Sequence, residues 1–251
     1  MSELPATNSL ENLRRLTSAR VAIGRTGHSE PLAASLSFKM AHAHARDAVF
    51  AKLEVDVLRE SVSIFDLPIL HLATKAADRR TYLQRPDWGR VLSEDAAATV
   101  KAQAHGEADI AIVLADGLSA VALQRHALAL LELVIPQLIG LGWRLAPLSI
   151  VEQGRVAVAD EIGSLLKAKL SMILIGERPG LSAADSLGVY ITYQPSPGTT
   201  DEARNCISNI RPEGLTYEAA AEKIGYLVNE ALRRQISGVL LKDESDLLLG
   251  E

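Results

Sequence analysis

Cysteine is almost absent from this chain: among 251 residues Cys206 stands alone. That excludes an intramolecular disulfide and any multi-cysteine zinc site, and it suits a reducing compartment. Aromatic residues make up 4 %, so a core must be built from Ala, Leu, Val and Ile, as in helices packed on a buried sheet. No excess of positive charge exists either. The 26 Lys and Arg against 31 Asp and Glu leave a formal charge of −5, which offers nucleic acid no general attraction. Five basic residues from Lys75 to Arg90 stand among Asp78 and Asp87. Only Tyr82 and Trp88 interleave them, so the patch reads as a solvated or subunit-facing surface.

Missing motifs narrow the field further. Residues 1–15 are polar and carry Glu3, Glu11, Arg14 and Arg15, unlike a secretory signal. The most apolar stretch, 127–141, is interrupted by Glu132 and Pro136 and is expected to be too short and broken to span a bilayer. A soluble intracellular protein is the expectation, with no nucleic-acid or membrane partner. No G-x-G-x-x-G follows a strand; Gly140-Leu141-Gly142 comes after a helix and lacks the third glycine. With no G-x-x-x-x-G-K-[ST] either, a dinucleotide or triphosphate site of the common kind is not expected. No G-x-S-x-G elbow is present. His42 and His44 diverge on a helix and cannot share a metal, while His42 and Arg46 share a surface face. Asp160 and Glu161 fall in a first helical turn, where they favour the helix dipole.

What is present divides into two regions. Residues 1–105 are mainly helical. Ser9 can cap a helix reaching Leu16. A second helix is expected over 31–53, with Leu36, Met40, Ala43 and Phe50 along one face. The segment 68–73 reads as a short strand or a loop, and Ser93 caps a helix with Glu94 and Asp95 in its first turn. The connector 85–90 carries turn signals. Residues 106–251 alternate strands and helices. Apolar runs at 110–114, 145–151, 170–175 and 189–193 read as strands. Helices are expected over 119–141, 158–168 and 216–235, the last closed by Gly238. Such alternation implies an α/β fold with a mostly parallel sheet and right-handed crossovers.

In an open sheet of this kind ligands bind outside the carboxyl ends of the strands. Three polar, glycine-containing loops fall there: Asp116-Gly117-Leu118-Ser119, Glu152-Gln153-Gly154-Arg155-Val156 and Gly176-Glu177-Arg178-Pro179-Gly180. Together they form a candidate site.

Several longer strings carry a family resemblance. Gly176-Glu177-Arg178-Pro179-Gly180-Leu181, followed by Asp185-Ser186-Leu187-Gly188, resembles the small subunit of ethanolamine ammonia-lyase. So do Asn205-Cys206-Ile207-Ser208-Asn209-Ile210-Arg211-Pro212-Glu213-Gly214, Gly154-Arg155-Val156 with Asp160-Glu161-Ile162-Gly163, and Arg85-Pro86-Asp87-Trp88-Gly89-Arg90. The resemblance continues through Arg20-Val21-Ala22-Ile23-Gly24-Arg25-Thr26-Gly27 and runs in order from about Leu13 to Lys242.

The resemblance implies a Rossmann-like C-terminal domain behind a smaller helical N-terminal one. It implies a large-subunit partner with a (β/α)₈ barrel, six copies of each subunit, and adenosylcobalamin at the interface. The complex would deaminate ethanolamine and related vicinal amino-alcohols by a radical route, giving acetaldehyde and ammonia from ethanolamine, and this chain would hold no catalytic residue or metal ligand. By family analogy Val156, Glu177 and Cys206 are the cofactor contacts. Taken without the family, Glu177 would pair with Arg178, Val156 would be packing, and Cys206 an inert buried thiol. No D-x-H-x-x-G string occurs, so the cobalamin is expected to keep its own dimethylbenzimidazole on cobalt. About twelve residues precede the matching region, which leaves a bacterial microcompartment and the open cytoplasm both available. An autonomous nucleotide- or metabolite-binding enzyme of Rossmann-like fold is the alternative.

Overall fold

The computed structural model describes residues 16–245 except 18, 105 and 107; the helix expected behind Ser9 lies outside them, save Leu16. The first region holds helices α1 (Leu32–Phe50) and α2 (Val55–Val62), strand β1 (Ile69–Ala73), and helices α3 (Arg79–Gln84) and α4 (Glu94–Ala102). Then follow β2 (Ala108–Ala115), α5 (Ala120–Gly140), β3 (Leu148–Glu152), α6 (Val158–Leu165) and β4 (Ala168–Gly176). The chain continues through β5 (Leu187–Tyr193), β6 (Arg204–Ile210) and α7 (Tyr217–Arg234).

Local chemistry sets several boundaries. Ser93, Ser119 and Thr216 each accept a hydrogen bond from the backbone N–H three residues on, capping α4, α5 and α7. α7 ends on Gln235, which takes the left-handed conformation at φ 59°; the expected Gly238 cap is therefore corrected. Gly238 instead starts a short 3₁₀ turn against the 202–203 segment. α5 runs 21 residues straight through Pro136, in agreement with the helix expected over 119–141. By length and composition it could cross a membrane, but half of its most apolar window is buried inside the protein. It is a core helix.

The sheet has six strands in the order β1-β3-β2-β4-β5-β6. β1–β3, β3–β2 and β2–β4 pair parallel, and β4–β5 and β5–β6 antiparallel. Segment 68–73 is thus a strand, β1, which the mainly helical first region lends to the sheet edge. β6 was not foreseen. Helices α5 and α6, which join β2 to β3 and β3 to β4, cover opposite faces, as in a Rossmann-like fold.

Alternation in β2 divides the core. Ile110, Ile112 and Leu114 pack with Leu123 and Leu130 of α5 and Ile224 and Val228 of α7. Ala111, Val113 and Ala115 pack on the other face with Val100 of α4 and Ile162 of α6. Each large aliphatic side chain so buried contributes about 1.5–3 kcal/mol. α1 differs: only Ala48 is buried, while Leu36, Met40 and Phe50 stay exposed. Its apolar face does not meet this core.

Candidate functional site

Strands β2, β3 and β4 end on the same edge of the sheet, and the loops leaving them are held against one another. Gly117 has φ +56°, and a Cβ there would come within 2.2 Å of the Gly176 carbonyl oxygen. Only glycine lets the loop after β2 lie on the end of β4. Leu118 N–H then donates to that same carbonyl at 2.9 Å. Gly176 is as tightly placed, since a Cβ on it would sit 2.0 Å from the Ser119 oxygen.

The loop after β3 is pinned from below and from the side. Gly154 N–H donates to Asp116 Oδ1 at 3.0 Å, and Arg155 N–H to the Gly89 carbonyl at 2.7 Å. Tyr82 of α3 is fully buried and donates its hydroxyl to the Gly154 carbonyl at 3.2 Å. Two guanidiniums lie on its ring, Arg155 at 4.1 Å and Arg79 at 4.7 Å from the centroid. Burial pushes the Tyr82 hydroxyl well above the usual tyrosine range. Arg79 donates through Nε to the Val49 carbonyl at 2.6 Å and through Nη1 to the Gly117 carbonyl at 2.7 Å. Arg79 Nη2 and Arg155 Nε are buried with no hydrogen-bond partner in the protein.

Glu177 leads the loop after β4. Its N–H donates to the Ser186 carbonyl at 3.0 Å, and its Oε2 accepts from Asn209 N–H at 3.1 Å. The bond to Asn209 ties it to the end of β6.

These loops enclose a cavity of about 440 Å³, lined among others by Tyr82, Leu118, Arg155, Val156, Glu177 and Tyr190. Val156 and Glu177, on different loops, therefore line the same cavity. Cys206 is not among the lining residues. It is exposed on β6, directly across from Tyr190 in the strand register. A wider hollow of about 1090 Å³ opens between the 17–23 segment, α1 and the 181–184 loop. Its Arg20 already donates to the Ser37 carbonyl and stacks on Phe38. Among the described residues no cluster of three or more His, Cys, Asp or Glu could hold a metal.

The profile of the ethanolamine ammonia-lyase light chain family (EutC) matches residues 7–242. The chain belongs to that family. It is 57 % identical over 247 residues to the ethanolamine ammonia-lyase small subunit of Azotobacter vinelandii, covering 97 % of this chain and 92 % of that one. The small subunit of Pseudomonas aeruginosa is 52 % identical over 250 residues, 98 % of this chain and 92 % of the relative. That of Xanthomonas campestris pv. campestris is 51 % identical over 245 residues, covering 96 % and 90 %.

In this light chain the loops are legible in the sequence, and what stands beneath them is not. Tyr82 and Arg79 come from α3, far earlier in the chain, and Tyr190 from β5. One signal was available: in so aromatic-poor a chain, a tyrosine flanked by Arg79, Arg80 and Arg85 invites stacking. Asp116 carried another, being the charged residue that directly follows the apolar run 110–115. Glu177, for its part, bonds to the Asn209 backbone and not to Arg178.

Proposed function

We propose that the rim of loops above β2, β3 and β4 is this light chain's half of a cradle for adenosylcobalamin, completed by the large subunit of the lyase. Family membership makes the chain the small, non-catalytic subunit of ethanolamine ammonia-lyase, working only with its large subunit. A corrin carries a rim of amides around a flat apolar face, and a half-cradle for it needs scattered donors, acceptors and apolar wall. The residues present fit that need. Glu177 offers a carboxylate to an amide N–H, Val156 an apolar surface, and the Arg155 guanidinium, with its partnerless Nε, a donor. Cys206 would meet the macrocycle at its edge, beside Tyr190.

When bound, the cofactor supplies the radical chemistry that turns ethanolamine into acetaldehyde and ammonia; the protein supplies orientation and excludes water. In that division of labour this chain holds the cofactor and the large subunit holds the amino-alcohol. The full assembly carries six copies of each subunit and works in the bacterial cytoplasm, free or inside a microcompartment.

One observation carries the reading: Val156 and Glu177, brought from separate loops, line a single concavity at the strand ends. Replacing Glu177 with Ala tests it. Adenosylcobalamin titrated into the assembled complex should bind about tenfold more weakly, the worth of one charge-assisted hydrogen bond. Unchanged affinity in a fully assembled complex would remove the cradle.

A further inference from the structure

Asp116 lies under the cavity, 2 % exposed, and is not part of its lining. A buried carboxylate is expensive, and an apolar residue of similar size would fill the same space at lower cost. What it does there is mechanical. Oδ1 accepts from Gly154 N–H at 3.0 Å, while Oδ2 stands 3.7 Å from Arg79 Nη1. That same Nη1 donates to the Gly117 carbonyl. One carboxylate and one guanidinium thus tie the end of β2, the loop after β3 and helix α3 into a single body. Arg79 also bears on Tyr82, and Tyr82 on Arg155.

We propose that Asp116, acting with Arg79, is a positioning residue for cofactor binding: it touches no cofactor and sets where Arg155 and Val156 stand on the cavity wall. The inference rests on the cradle reading and adds to it a group that regulates the cradle's shape. The charged and titratable groups around Asp116 are Arg79 and Tyr82 from α3, Glu152 from β3 and Arg155 from the following loop. Burial raises the Asp116 carboxyl to about 6, against the pull of Arg79 and the N–H groups of Gln153 and Gly154. Below that pH it takes up a proton, Arg79 loses its counter-charge, and the bond from Gly154 N–H that holds the loop after β3 is weakened.

The experiment titrates adenosylcobalamin into the assembled complex between pH 5 and 8, using wild type, Asp116→Asn and Glu177→Ala. Hydrogen exchange at the Gly154 and Arg155 amides is followed in the same samples. Wild-type affinity should fall severalfold from pH 7 to pH 5. Asp116→Asn should bind about tenfold more weakly at pH 7, lack that fall, and exchange faster at Gly154. Glu177→Ala should weaken binding with Gly154 exchange unchanged. If Glu177→Ala weakens binding and Asp116→Asn does not, the positioning role is wrong and the cradle stands. If neither weakens binding, the cradle reading falls and takes this inference with it. Should Asp116→Asn fail to fold, Arg79→Lys removes the same fork and should weaken binding and speed Gly154 exchange; wild-type behaviour of that variant would equally overturn the proposal.

Discussion

At the amino end of β2, Asp109 sits between Lys169 Nζ at 2.9 Å and Arg144, whose N–H and Nε stand 3.0 and 3.2 Å away. At the carboxyl end, Asp116 has one guanidinium, no nearer than 3.7 Å. Burial works to raise both carboxyls. At Asp109 the hydrogen bonds from Lys169 and Arg144 outweigh it and hold the group down at about 2. At Asp116 burial wins, and the group rises to about 6. A second pair reinforces the amino end. Arg204 opens β6 opposite Thr192, which itself pairs with Ser171 near the start of β4, and its guanidinium bonds the buried Asp160. At the amino end each buried carboxylate has an opposite charge in direct contact, although Arg204 Nε and Asp160 Oδ1 stay without a hydrogen-bond partner. At the carboxyl end the buried carboxylate has its guanidinium no nearer than 3.7 Å, and Arg155, which lines the cavity, keeps a partnerless Nε, as expected where a ligand completes the bonding.

Breaking the amino end should give the largest effect on stability and none on the cofactor. Arg204→Ala strands Asp160 in the core, because both side chains are 2 % exposed. Loss of one partner from such a pair costs about 4 kcal/mol, read as a lower urea midpoint. Adenosylcobalamin affinity of the folded complex should stay at the wild-type value; a tenfold loss would abolish the division between the two ends.

Gly176→Ala strikes the carboxyl end with a somewhat smaller cost in stability. Its new Cβ meets the backbone oxygens of Ser119 and Asp116 at 2.0 and 2.7 Å, so the two loops must part. Overpacking of that kind costs about 3 kcal/mol. Here cofactor binding should fail together with stability. A Gly176→Ala complex that binds adenosylcobalamin normally would show that the loops above β2 and β4 need not touch.

The same contrast explains what could be read from the sequence. The central strands were legible because both faces are buried, so runs such as Ile110 to Leu114 are continuously apolar. β6 was not, because it lies at the sheet edge. Ile207 and Ile210 point inward while Cys206, Ser208 and Asn209 face outward, and a register shift interrupts its pairing with β5. The loops that carry Val156 and Glu177 could be found, since each follows a recognisable strand and holds a glycine, whereas the two residues themselves were singled out by the family resemblance. Their support could not, for Asp116, Arg79 and Tyr82 are joined only through the fold. Asp160 likewise read as a helix-dipole residue, and its partner Arg204 lies 44 positions away. Spacing along a helix predicts neighbours on that helix; it is silent about a guanidinium arriving from another strand. The apolar face of α1 misled for the opposite reason: periodicity marks a face as apolar and does not say what covers it.

The smallest predicted effect separates the two carboxylates of β2 most directly. Asp109, ordinarily near 3.8, is lowered on folding, so its contribution to stability is present above pH 4 and is lost as pH falls towards 2. Asp116 is raised on folding, so the native protein holds that proton more tightly than the unfolded chain does. Its contribution is therefore largest below pH 4 and declines as pH rises through 6. Urea unfolding of wild type, Asp109→Asn and Asp116→Asn from pH 3 to 7 should show difference curves of opposite slope. Wild type should gain on Asp109→Asn as pH rises from 3 to 4. It should lose ground to Asp116→Asn between 4 and 6, each change being on the order of 1–2 kcal/mol. Two slopes of the same sign would mean that both ends of β2 hold their carboxylates for stability alone, and the carboxyl end would lose its distinction as the place where charge is kept available for a ligand.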